Sequence, residues 1–82
     1  MYMYTANDFN CENAPKEMVQ YIIDQIDGFD ILYQGAHMNM GVMRCPLRDA
    51  SPLLYAEIAS LIDDWCWWYE IENTFDIEEI FG

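Results

Sequence analysis

The chain has 82 residues, 54% of them hydrophobic and 16% aromatic, with fifteen Asp and Glu against three Lys and Arg, a net charge of −12. That length makes one domain, 1–82, with a thin core, and the apolar and aromatic content excludes a disordered acidic tail. The sign of the charge disfavours direct binding to nucleic acid or to an anionic membrane and favours a basic protein or ribonucleoprotein complex as partner.

Met1 to Thr5 is short, aromatic and apolar, and reads as a strand. After a polar loop from Ala6 to Glu12, Asn13 supplies a cap oxygen and Pro15 suits the first turn of a helix. Met18, Ile22 and Ile26 then recur every four residues with Val19 and Ile23 beside them, an apolar helical stripe that Gly28 ends as C-cap. Phe29 to Tyr33 reads as a second strand, Gln34 to His37 as a reversal around Gly35, and Met38 to Cys45 as a returning strand with Gly41 at a bulge. Pro46 to Ala50 is a connector. Ser51 and Pro52 start a second helix, whose face carries Leu54, Ile58, Leu61, Ile62 and Trp65.

Beyond Trp65 the pattern changes period. Trp67, Tyr69, Ile71, Phe75 and Ile77 alternate with Glu70, Glu72, Thr74, Asp76 and Glu78, with one break at Asn73. Alternation of this kind marks a half-buried strand, placed here from about Cys66 to Glu72. A helical turn from Asp76 to Phe81 would gather Ile77, Ile80 and Phe81. The resulting order is the βαββαβ of a ferredoxin-like α+β fold, two helices on one face of an antiparallel sheet. If the second helix runs on to Glu72 instead, the protein is mainly helical.

The charge is unevenly distributed. From Asp49 to Gly82 there are nine carboxylates and no Lys, Arg or His. On an extended 70–78 segment, alternate acids would lie roughly 6.6 Å apart on one face, a row able to stand in for phosphates and to dock where Arg and Lys hold nucleic acid. Glu57, Asp63 and Asp64 on the preceding helix would add a second row. Trp65, Trp67, Trp68 and Tyr69 put four large aromatics in five residues, more than one small core can take, so at least one is expected at the surface as a binding anchor. The expected partner-binding set is Glu57, Asp63, Asp64, Trp67, Trp68, Glu70, Glu72, Asp76, Glu78 and Glu79, with Asp63, Asp64 and Glu70 rimming an aromatic patch that attracts guanidinium groups.

Other chemistry finds little footing. Cys11, Cys45 and Cys66 form no CxxC pair and read as reduced thiols of a cytoplasmic protein. His37, Met38, Met40, Met43 and Cys45 are soft donors, but strand alternation divides them between two faces. Asp24, Asp27 and Asp30 lack calcium-loop spacing. No metal or other cofactor is therefore expected. A single His and the absence of a phosphate loop or nucleophile elbow argue against an enzyme. Neither a secretory signal, a lipidation box nor a span of 18 apolar residues is evident.

In size, charge and aromatic content, and in the run from Asp63 to Glu79, the chain resembles small acidic phage-encoded anti-defence proteins of the anti-CRISPR and DNA-mimic type. That resemblance implies an inhibitor acting in the host bacterial cytoplasm, covering the basic, arginine-lined nucleic-acid surface of a CRISPR effector or other DNA-handling complex. The rival expectations are a homodimeric or adaptor interaction module with an apolar aromatic interface, and an antitoxin or immunity protein neutralising a basic nuclease.

Overall fold

The structure, a computed structural model, describes residues 3–38 and 45–82. A 3-10 helix, Ala6–Asp8, precedes α1 (Lys16–Gln25), α2 (Phe29–Met38), the single turn α3 (Leu47–Ala50), the long α4 (Pro52–Trp68) and the short α5 (Ile77–Phe81). There is no strand among the described residues, so the ferredoxin-like α+β expectation is overturned and the mainly helical alternative agrees.

The two helices with a clear apolar stripe form where the stripe lies. α1 buries Met18, Val19, Ile22 and Ile23, and Ile26 follows at its C-cap. Pro15 rather than Asn13 is its N-cap; the Asn13 side-chain amide donates instead to Glu79 Oε1 at 2.9 Å. α4 starts as its sequence predicts, with Pro52 in the first turn and Ser51 Oγ accepting from the Leu54 amide at 3.3 Å. Its buried residues are Leu54, Ile58, Ile62 and Cys66, one per turn. Each fully buried Ile or Leu stabilises the fold by roughly 1.5–3 kcal/mol, so this single line of side chains, packed on α1, α3 and α5, is the spine of the molecule. The predicted turn near the C-terminus is α5, and Ile77, Ile80 and Phe81 are buried together.

Of the strand expected from Met1 to Thr5, Met1 and Tyr2 lie outside the described residues and 3–5 form no strand; the strand expected from Phe29 to Tyr33 is absent. Thr5 caps the 3-10 helix, its amide donating to Asp8 Oδ2 at 2.8 Å. Phe29 begins α2, because Phe29, Tyr33 and Ala36 sit at helical spacing and turn inward together while Ile31 and Leu32 face solvent. Gln34 to His37, expected to reverse the chain, continue that helix, and Pro46 to Ala50, expected as a connector, mostly forms α3. The strand predicted from Met38 to Cys45, with its bulge at Gly41, falls largely outside the described residues; Met38 closes α2.

Aromatic rings from the N-terminal segment, α2 and α5 pack together in the core. Phe29 and Tyr33 stack at 5.6 Å, and Phe9 packs on Phe81 with centroids 4.9 Å apart. The Tyr33 hydroxyl donates to the Phe81 carbonyl, and burial pushes its pKa up to about 12. No charged or polar residue is buried among those described, so the carboxylates all lie at or near the surface.

Candidate functional site

The last turn of α4 organises the surface predicted from the aromatic cluster. Helix α4 stops after Trp68 through paired bonds: the Glu70 amide donates to the Trp67 carbonyl at 3.3 Å, and the Ile71 amide to the Cys66 carbonyl at 3.0 Å. Glu70 has φ 53°. This is the Schellman arrangement, which normally has glycine at the left-handed position. Chain 71–76 then runs without helix or strand to α5, so the strand expected from Cys66 to Glu72 does not form, and neither does the row of acids at every second residue that depended on it.

Helix periodicity accounts for which rings are inside. Trp65 and Cys66 lie on or beside the buried stripe, Trp67 falls on the opposite arc, and Trp68, three residues after Trp65, lies at the solvent edge of the Trp65 side. Trp67 is 75% exposed, Trp68 72% and Tyr69 62%. Ile71, where the chain leaves the helix, is 41% exposed.

Two open grooves flank Trp68. One, of about 700 Å³, is lined by Cys66, Trp67, Trp68, Glu70, Ile71 and Asn73. The other, of about 500 Å³, is lined among the described residues by Tyr21 from α1 with Trp65, Trp68 and Tyr69. Trp65 anchors the second groove. The Tyr69 ring stacks on it at 4.3 Å and 30°, and the Tyr21 ring meets it at 5.4 Å and 47°. Trp67 and Trp68 meet edge to face at 5.6 Å. Sequence reasoning missed Tyr21, which sits on the flank of the α1 stripe; a large half-polar ring at the border of a buried face is the signal that could have found it.

The carboxylates predicted to bind a partner divide into two groups. Glu57, Asp63 and Asp64 are exposed on α4; Asp63 lies one turn before Trp67, and Asp64 one turn before Trp68, spacings that make each pair neighbours on the helix surface. Asp63 also accepts a hydrogen bond from the Asn73 side-chain amide. Glu70 and Glu72 are exposed immediately beyond the helix. The second group is engaged in contacts within the chain. Asp76 caps α5, its Oδ1 accepting from the Glu78 amide at 3.0 Å. Glu78 pairs with Arg48 at 3.3 Å, and Glu79 accepts from Asn13. Thus Asp63, Asp64, Glu70 and the aromatics share one end of α4, while Asp76, Glu78 and Glu79 are tied into contacts with the rest of the chain.

Cys66 faces inward at the edge of this surface. Burial, with Asp63 adding to it, pushes its thiol above the usual range, which disfavours the thiolate needed for nucleophilic or metal chemistry. Among the described residues no three His, Cys, Asp or Glu side chains gather as metal ligands. Asp24, Asp27 and Asp30 form no such group, and the His37 ring lies 4.3 Å from that of Tyr33. Met40 and Met43 lie outside the described residues. No described helix is long and apolar enough to cross a membrane. No protein family model, curated protein or solved structure matches this chain.

Proposed function

We propose that this chain is a protein-interaction module that docks a heterologous partner through the aromatic end of α4. The observation that carries the reading is the succession Trp67, Trp68 and Tyr69, each more than three-fifths exposed. Rings of this size bury 150–250 Å² when covered. Leaving three of them in water on one helical turn forgoes several kcal/mol that folding would otherwise recover, and Trp and Tyr are the residues that anchor binding hot spots. The Trp65–Tyr69 stack fixes the Tyr69 ring and the Schellman stop fixes the backbone that carries Trp67 and Trp68, which lowers the ordering cost of docking.

The charge selects against self-association. A second copy would bring another −12 toward a rim that already holds Asp63, Asp64, Glu70 and Glu72, and like charges brought together oppose assembly. An acidic inhibitor covering the basic surface of a nucleic-acid-handling complex is one case of this reading. The net charge favours it; the surface proposed here rests on aromatic anchors with an acidic rim and not on a row of phosphate-like acids.

The test compares wild type with a Trp67→Ala/Trp68→Ala variant, both checked for helicity by circular dichroism. Each is used to capture proteins from a bacterial lysate at low salt, and each is sized by chromatography with light scattering. The expected result is a monomer that retains a basic protein which the double variant loses. Identical captured sets would overturn the proposal, as would a stable dimer that the double variant dissolves, since the rings would then serve self-association.

A further inference from the structure

We infer that the groove between α1 and the end of α4 is a receptor for an arginine side chain of the partner; this rests on the docking role proposed for the α4 end and assigns the chemistry of its occupant. Among the described residues the groove walls are Tyr21, Trp65, Trp68 and Tyr69. The face of an aromatic ring carries the negative side of its quadrupole, and cations placed over such faces are attracted to them. At about 500 Å³ the groove has room for a planar guanidinium and its stem.

Charge around the groove points the same way. On α1, Glu17 and Asp24 lie four residues before and three residues after Tyr21, and both are exposed. Side chains at those spacings share a helix face. On α4, Asp64 lies one turn before Trp68, and Glu70 follows Tyr69 directly; both are exposed. The aromatic walls are therefore bracketed by carboxylates from both helices. Among the described residues the side-chain cations are Lys16, at the start of α1, and Arg48. Arg48 is held by Glu78 at 3.3 Å and lies over the Tyr55 ring, and no Lys or Arg follows it.

Arginine fits better than the alternatives. Its guanidinium is flat, weakly hydrated and stacks on aromatic faces while its N–H groups reach carboxylates at the side. Lysine brings the same charge as a compact, strongly hydrated ammonium and gives up more hydration to enter an aromatic slot. A nucleobase would stack, but its phosphates would meet a strongly negative surface.

The experiment titrates the full ¹⁵N-labelled chain at low salt with three blocked tetrapeptides: tetra-arginine, tetra-lysine and the neutral tetra-citrulline. Binding is followed through the three tryptophan indole N–H resonances. Tetra-arginine is expected to bind on the order of fivefold more tightly than tetra-lysine, with citrulline not saturating, and to move the Trp65 and Trp68 indoles more than that of Trp67. Trp68→Ala should erase the preference for arginine, lowering the arginine affinity more than the lysine affinity. Trp67→Ala, outside this groove, should leave the preference intact. Equal affinities for the arginine and lysine peptides, or a response centred on Trp67, overturn the inference. Absence of any binding also overturns it. Should Trp68→Ala fail to fold, the indole pattern and the peptide ranking on wild type still decide. The outcome separates from the docking proposal: loss of arginine preference leaves untouched a partner whose capture depends on Trp67 and Trp68.

Discussion

Glu70 holds a left-handed backbone, φ 53°, that costs a residue with a Cβ roughly 1–2 kcal/mol. The two bonds of the helix stop close around it, so the cost is borne where the aromatic surface is anchored. Replacing it with glycine removes that strain, while the greater freedom of glycine in the unfolded chain returns about 0.4–1 kcal/mol. Glu70→Gly is therefore expected to stabilise the protein by about 0.5–1 kcal/mol in urea denaturation, with the helix still ending at Trp68. Glu70→Gln removes the same charge and keeps the side chain, so it should recover little of the gain. A destabilised glycine variant would contradict this account of the stop. The same residue explains a misreading. With no Gly or Pro between Trp68 and Phe81, nothing in the sequence announces the end of α4, and the alternation of Trp67, Tyr69 and Ile71 with acids passes for a strand. Alternation identifies a strand only if apolar residues are buried; here these three are exposed, because they form a surface patch.

At the scale of elements, two glycines test α2 with opposite signs. Gly28 precedes the helix with φ 72°, and a Cβ built there meets nothing within 4 Å, so only the backbone opposes a side chain. Gly28→Ala should cost about 1 kcal/mol, the left-handed penalty less the entropy gained by restricting the unfolded chain. Gly35 lies inside α2 with open space at its Cβ position, so Gly35→Ala should stabilise by up to about 1 kcal/mol through helix propensity. Paired thermal scans check this, the midpoints moving apart by several degrees, since about 1 kcal/mol shifts a domain of this size by roughly 4–8 °C. A hairpin turning at Gly35 would reverse the second sign. The elements with four-residue apolar recurrence, α1 and α4, were legible in the sequence, as was α5 from Ile77, Ile80 and Phe81. α2 was not, because Phe29 to Tyr33 is too short and too apolar for periodicity to separate helix from strand; the helical spacing shows only when Ala36 is included, beyond the glycine that reads as a turn. Of the site, the anchors Trp67 and Trp68 and the rim Asp63, Asp64 and Glu70 were legible as a local run. Tyr21 was not, since only the packing of α1 on α4 brings it beside Trp65.

For the whole molecule, the decisive quantity is the imbalance between self-repulsion and internal pairing. Fifteen carboxylates face three Lys and Arg, and Arg48 with Glu78 is the one ion pair among the described residues. An exposed pair of that kind contributes about 0–1 kcal/mol, whereas unpaired like charges spread over a small surface destabilise the compact state together. Screening shortens their reach from about 20 Å or more at tens of millimolar salt to only a few ångströms near 1 M. Raising sodium chloride from 20 to 500 mM is therefore expected to raise the thermal midpoint, by about 5 °C if the relief is worth ~1 kcal/mol. Attraction between the acidic rim and a basic partner weakens under the same screening, so partner affinity should fall across the salt range in which the fold gains stability. An apolar dimer would behave otherwise: salt would ease the repulsion between copies, and association would strengthen with the fold. Measured side by side on one preparation, the two salt slopes should have opposite signs for a heterologous basic partner and the same sign for self-association.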